Sequence, residues 1–401
     1  MAHTRALPNT AKTATIGLLL TLTLLGVFPI DVVLPSFPAL SEHFGRPSSD
    51  IALSVSLFAV GIALSQLLVG PLSDAMGRKN LLLIGIGISA IGAAGCLLAE
   101  RYEGFLLFRV VQALGCGCFV LSQALIQDLF TGLEQQRLRI FLVTCGGVFI
   151  SVSPLAGTGL QSWIGWQGSF LVFIALAVSA FLSASILLRP SPMERQRKRP
   201  DFIVSYRTVY SDFTFIAYWL TSALAFSCHF SFIVISPLIL IDQVQLAPEA
   251  FSLALLGYGL AYIGGGAVAT LLSSRIDSQT QIFTGLSLIL VAGALMLGLC
   301  IYLGLSVTSL LLPMIVCTAG TTIARAAAHT QAMNLFPERA GTSASAGSVL
   351  IFMVGGLTSA AISLTPLDRQ ITLALCLILL GLLALMLNLL VRHRYGSLST
   401  G

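Results

Sequence analysis

With 401 residues, of which 56% are hydrophobic and only 9% charged, the chain has too little polar surface to coat a water-soluble globule of its size. Its eight cysteines fall inside apolar stretches without the spacing of a zinc or redox site, and read as small packing residues. A net charge of +5 raises the question of a nucleic-acid partner, which the placement of the charges answers differently.

A bilayer core takes about 20 apolar residues per helical span, and the chain offers twelve such stretches: 14–35, 50–72, 80–99, 104–129, 138–160, 167–188, 213–236, 251–272, 281–303, 308–335, 342–364 and 370–391. The first has the look of a signal peptide, but it carries Asp31, runs on through Pro35 and lacks a small-residue cleavage site, so it is expected to be a retained span. The fold class expected is therefore an all-α polytopic membrane protein of twelve transmembrane helices. Between the second and third stretches lies a short charged turn, Gly70-Pro71-Leu72-Ser73-Asp74-Ala75-Met76-Gly77-Arg78-Lys79. Its glycines permit a tight reversal, and Asp74 and Arg78 offer a charge pair at the membrane surface. The corresponding place after the eighth stretch, Ser273-Ser274-Arg275-Ile276-Asp277, echoes this turn weakly, keeping one Arg and one Asp without the glycines.

Lys and Arg divide unevenly across the spans. One set of flanks holds sixteen, among them Lys12, Arg78, Lys79 and the run Arg195 to Arg199, while the other holds Arg46, Arg101 and Arg369. By the excess of positive charge on cytoplasmic loops, both termini are expected in the cytoplasm, and the basic balance is a topology signal rather than a nucleic-acid one. The Pro- and Arg-rich segment 189–212 is the longest polar connection and separates six spans from six. It divides the chain into an N-terminal six-helix bundle over 1–188, a cytoplasmic linker over 189–212 and a C-terminal six-helix bundle over 213–401, with a central cavity between the bundles.

Ionisable groups within apolar spans are costly and so mark function. They are Asp31 in the first span, Arg109 in the fourth, His229 in the seventh, and Arg325 and His329 in the tenth, with Asp128 near the cytoplasmic end of the fourth. Asp31 lies between Pro29 and Pro35, where freed backbone groups and burial would let a carboxylate exchange a proton. Counted by helical rise, Asp31 and Arg109 fall at similar depth, so a charge pair between them is geometrically open. Arg325 and His329 are four apart and share a helix face.

Several of these tracts carry a resemblance. The Gly70-to-Lys79 turn resembles the signature loop between the second and third helices of the major facilitator superfamily. Asp31-Val32-Val33-Leu34-Pro35-Ser36-Phe37-Pro38 resembles the first-helix pattern of drug:proton antiporters. Arg109-Val110-Val111-Gln112-Ala113-Leu114-Gly115 is similar to the fourth-helix Arg-x-x-Gln-Gly-x-Gly motif, with Ala113 at the first glycine of the motif. Ser153-Pro154-Leu155-Ala156-Gly157-Thr158-Gly159 is a degenerate form of the Gly-Pro-x-x-Gly-Gly antiporter motif, and Asn334 to Ala346, with Gly165-Trp166, looks like the Bcr/CflA group of multidrug exporters.

The resemblance implies the major facilitator fold, with the first, fourth, seventh and tenth spans lining the cavity, and the role of a proton-coupled exporter of small amphiphilic molecules in the bacterial inner membrane. It implies Asp31 and Arg109 in proton coupling, and Gly70, Asp74, Gly77, Arg78 and Asp128 as a cytoplasmic latch. It also implies that Pro154 and Gly157 form a kink in the fifth span. His229, Arg325 and His329 make the C-terminal side of the cavity electropositive and are expected to bind substrate. Because an Arg fork suits carboxylates, the alternative is a dedicated exporter of an anionic or zwitterionic metabolite such as a carboxylate siderophore. No Ser-His-Asp or His-Glu-x-x-His constellation points to an enzyme. No cofactor or metal is expected beyond the proton gradient. The expected partners are the substrate and the lipid bilayer, with no nucleic acid, and the protein is expected to act as a monomer.

Overall fold

The computed structural model describes residues 9–188, 202–273, 275–336 and 340–398. The whole basic run Arg195 to Arg199 therefore lies outside the described residues. So do the side chains of Asp74 and Asp128.

The apolar runs fold as helices because in lipid every backbone polar group has to be bonded within its own segment. In chain order these are α1 (Asn9–Asp31), α2 (Phe37–Phe44), α3 (Ser48–Met76), α4 (Arg78–Leu98), α5 (Tyr102–Cys116), α6 (Leu121–Leu129), α7 (Gly132–Ile164), α8 (Gln167–Leu187), α9 (Phe202–Tyr210), α10 (Phe213–Leu240), α11 (Pro248–Ser273), α12 (Ser278–Leu303), α13 (Val307–Leu335), α14 (Ala340–Leu364) and α15 (Arg369–Leu398). Among the described residues no strand is formed. Among the described residues, eleven segments are long and apolar enough to cross a membrane. The 33-residue α7, which covers the predicted fifth span, makes the twelfth long helical segment. Side chains such as Leu98, Ile186 and Ile301 stand exposed on the outside, as a lipid-facing surface requires.

Local chemistry sets the ends. Gly77 has φ 87°, a conformation that L side chains rarely adopt, and it turns α3 directly into α4. Asp212 caps α10 by accepting from the Phe215 amide at 2.8 Å. Ser306 and Ser309 form a reciprocal cap on α13. The segment expected as a polar linker contains α9, whose Tyr206 hydroxyl lies 2.9 Å from the Ser345 hydroxyl of α14.

The fourth span departs from the continuous helix that its sequence predicts. A 3-10 turn over Gly117–Val120 separates α5 from α6. The Ser65 hydroxyl of α3 donates to the Leu114 carbonyl at 2.6 Å, an acceptor that an unbroken α-helix would offer to the Cys118 amide. A Cβ on Gly117 would stand 2.3 Å from Ser65 Oγ, so the two helices touch where the ladder changes.

The six long segments from α1 to α8 pack on one another, as do those from α10 to α15, and the two sets meet chiefly where α3 lies along α14 and α7 along α11. The turn Leu34–Ser36 after α1 also touches α7, α10 and α11, so the two sets are in contact at that end.

Candidate functional site

Two polar centres stand out inside the helices, one in each half. In the first, Asp31 closes α1 and is only 6% exposed, and no hydrogen bond or ion pair reaches its carboxylate from the described residues. Arg109 is wholly buried. Its two terminal nitrogens donate to the Pro29 carbonyl at 2.9 Å and to Gln112 Oε1 at 2.8 Å, and its guanidinium carbon lies 4.3 Å from the centroid of the Phe58 ring. The charge pair left open by the sequence is therefore not formed in this structure. Arg109 instead fastens the end of α1 two residues before the acid. Its partner Gln112 sits one turn along α5, where the i, i+3 spacing brings side chains together.

Immediately beyond Asp31, the Val32 carbonyl accepts from the Ser169 hydroxyl of α8 at 3.3 Å. A Cβ on Gly157 would stand 2.3 Å from that same carbonyl oxygen, so the Pro154–Gly157 segment of α7 is pressed against the residue next to the acid. On the other side of α7, the Thr158 and Ser252 hydroxyls are 2.5 Å apart, and Ser252 donates to the Pro154 carbonyl at 3.1 Å. Pro154 has no amide hydrogen and so loosens the ladder of its own helix. The acid, the Pro154–Gly157 segment and the contact with α11 are thus one continuous chain of neighbours.

The second centre gathers around Arg325 of α13. Its guanidinium carbon is 4.8 Å from the centroid of the Phe226 ring of α10, and Nη1 donates to the Tyr262 hydroxyl of α11 across 3.4 Å. His229, 6% exposed, shares a hydrogen bond of 2.5 Å with the Tyr258 hydroxyl, and its ring lies 5.1 Å from that of Tyr262. Arg325 and His229 are therefore brought together through Phe226 and Tyr262. His329 is set apart from them: it is exposed and lies one turn further along α13, its ring centroid 4.8 Å from that of Trp219 in an edge-on arrangement. Among the described residues no group of three or more His, Cys, Asp or Glu side chains could hold a metal ion.

Of the expected latch, Gly77 alone makes the α3–α4 turn, whereas Gly70 lies within α3, because the helix runs on to Met76 through most of the charged tract; Arg78 donates to the Ala124 carbonyl of α6 at 2.5 Å. Lys79 donates to the Ser185 and Leu188 carbonyls, a cation placed on the negative end of α8. The contributions of Asp74 and Asp128 fall outside the described side chains.

Phe226, Tyr258 and Tyr262, together with the Thr158–Ser252 pair, were not singled out from the sequence. An aromatic ring in an apolar span is indistinguishable from packing until a charge is seen beside it. For Tyr262, the available signal is a phenol within a span, which needs a partner for its hydroxyl.

This architecture, with buried charge confined to a few helices, is that of a polytopic helical membrane protein. The model of the Major Facilitator Superfamily matches residues 19–360, and the chain belongs to that family. It is 28% identical over 360 residues to a chloramphenicol resistance protein of Pseudomonas aeruginosa, covering 88% of this chain and 84% of that protein. Over 326 residues it is 26% identical to the chloramphenicol resistance protein CraA of Acinetobacter baumannii, covering 80% and 78% respectively. Among solved structures, the crystal structure of a D-xylose-proton symporter superposes with a TM-score of 0.75 at 14% identity, covering 93% of this chain and 97% of that one, a likeness of fold alone.

Proposed function

We propose that the protein is a proton-coupled exporter of small amphiphilic molecules, working by alternating access in the bacterial inner membrane with both termini in the cytoplasm. The efflux reading draws on relatives named for resistance to chloramphenicol. The observation that carries proton coupling is Asp31, a buried carboxylate with no bonding partner among the described residues. An unpartnered charge is expensive in that setting, so closure around Asp31 favours its neutral form, and loss of the proton favours an arrangement in which water reaches it. Arg109, by holding the Pro29 carbonyl, keeps the acid at the end of α1 while the proton comes and goes.

The conformational readout passes through contacts already described. Any shift at Asp31 and Val32 bears on Gly157, and through Pro154 and Thr158 on Ser252 of the opposite half. The proton gradient is the energy source, and a bistable packing of α7 on α11 is the element it biases. Arg78 and Lys79 anchor the α3–α4 turn to α6 and α8 so that the first half moves as a body.

The test is substrate-driven proton movement in everted membrane vesicles. Asp31→Asn should abolish transport driven by a pH gradient while the protein remains folded in the membrane, and Asp31→Glu should retain a measurable part of it. Full pH-driven transport by Asp31→Asn would sink the assignment.

A further inference from the structure

Arg325 sits about 27 Å from the start of α13 and about 15 Å from its end, and Phe226 and Tyr262 fall near the middle of their helices at the same rise per residue. The Arg325 side chain is only half-buried, and its Nε, shielded from solvent, has no partner. The one hydrogen bond from its terminal nitrogens to a described residue is the long contact to Tyr262. No carboxylate of the described residues is within ion-pairing distance. A cation at this depth with unused donors is a site awaiting an acceptor.

The surroundings define what that acceptor is attached to. Between Thr221 and Leu240 every residue of α10 is buried except Phe226, which is the side chain this stretch leaves open. Phe226 stacks on Phe230 at 5.4 Å and meets Phe352 edge-on at 5.7 Å. Gly355 stands behind it, where a Cβ would be 3.0 Å from the Phe226 ring. Phe226, Tyr262 and Phe352 are all half-buried like Arg325 itself, and contacts to Phe226 and Tyr262 tie the guanidinium to this partly exposed aromatic cluster. A guanidinium over an aromatic face keeps N–H donors free at its edge, and its planar fork suits a carboxylate through two parallel hydrogen bonds.

We propose that Arg325, Phe226 and Tyr262, backed by His229, form a midplane subsite for an organic anion or zwitterion whose carboxylate is carried on an aromatic or otherwise apolar body. The proposal rests on the exporter reading for its direction of transport, and not for the binding chemistry itself. His229 already shares a hydrogen bond with Tyr258 and so serves as a wall and a second polar contact rather than as the principal cation. Arg325 fixes the acid group, and the ring cluster selects for the flat apolar remainder.

The experiment is equilibrium binding to the full chain in lipid nanodiscs with no proton gradient present, using 1-naphthoic acid and its methyl ester as probes of one shape that differ in charge. The wild-type protein should prefer the acid, as carboxylate, by tenfold or more. Arg325→Gln should weaken the carboxylate by about tenfold to a hundredfold, the scale of one lost charge-assisted contact, and thereby collapse its preference over the ester. Arg325→Lys, which keeps the charge without the fork, should fall between the two. Should Arg325→Gln fail to fold, the wild-type preference and the Arg325→Lys value still decide. A wild-type protein that binds both probes equally, or an Arg325→Gln protein that loses both by the same factor, overturns the subsite. Gradient-driven export in vesicles, measured separately with chloramphenicol, reports on the exporter reading, so that either can fail alone.

Discussion

Each half of the molecule holds an arginine beside a phenylalanine within the membrane, and the two are housed in opposite ways. Arg109 is sealed: both terminal nitrogens are bonded to the protein, Phe58 covers one face, and nothing of it is exposed. Arg325 is open, with one long bond, a half-buried ring beside it and donors left over. A buried cation whose terminal nitrogens both bond within the protein serves as a fastener, whereas one whose terminal donors are left over in a half-buried setting is a receptor. The residue type is the same and Nε lacks a partner in both; the satisfaction of the terminal nitrogens separates the roles.

The largest expected effect tests that separation directly. Arg109→Gln removes two charge-assisted hydrogen bonds and leaves the Pro29 carbonyl and Gln112 without their donor, which should cost about 3 kcal/mol or more of stability. Arg325→Gln should cost less than about 1 kcal/mol by the same measure, since only the long Tyr262 contact is lost. Thermal unfolding of the purified proteins in one detergent checks both. Equal shifts in the two variants would erase the contrast between fastener and receptor.

A smaller effect is expected from the rings. Phe58→Leu should lower stability by about 2 kcal/mol, the scale of a desolvated cation–π contact. Phe226→Leu should change stability little and instead lower affinity for an aromatic carboxylate. Unfolding midpoints and probe binding, measured on the same preparations, should move in opposite patterns for the two variants, and a Phe226→Leu protein that loses stability but keeps affinity would make that ring a packing residue.

The positions of both arginines were legible in the sequence because a charge interrupts an apolar run conspicuously, and so were Asp31 and the α3–α4 turn. Their housing was not. Helical rise gave Arg109 and Asp31 similar depth, but depth carries no azimuth, and the Pro29 carbonyl, two residues from the acid, proved to be the partner of the guanidinium. The aromatic setting of Arg325 was hidden among 23 Phe and 8 Tyr residues, whose spacing in a span does not reveal which few face a charge. The break after Cys116 was invisible for a different reason, since the competitor for the Leu114 carbonyl is Ser65, far away in sequence. Eleven spans among the described residues, by contrast, follow from composition and length alone, because the bilayer fixes how many apolar residues a helix needs.

The last and smallest effect concerns the contact that joins the two regions. Thr158 and Ser252 link α7 to α11, and their hydroxyls also engage the Pro154 and Pro248 carbonyls. Thr158→Val keeps the volume and removes the hydroxyl, which should cost about 1 kcal/mol in whichever conformation holds this bond. Because neither residue touches Asp31 or Arg325 in the contacts described, the substitution should leave equilibrium binding of the naphthoic acid probe unchanged while altering the rate of gradient-driven transport several-fold, as expected when a two-state packing is biased away from either centre. A fall in probe affinity comparable to that of Arg325→Gln would mean that the α7–α11 contact shapes the subsite itself. Sealed and open centres would then be parts of one cavity rather than separable devices.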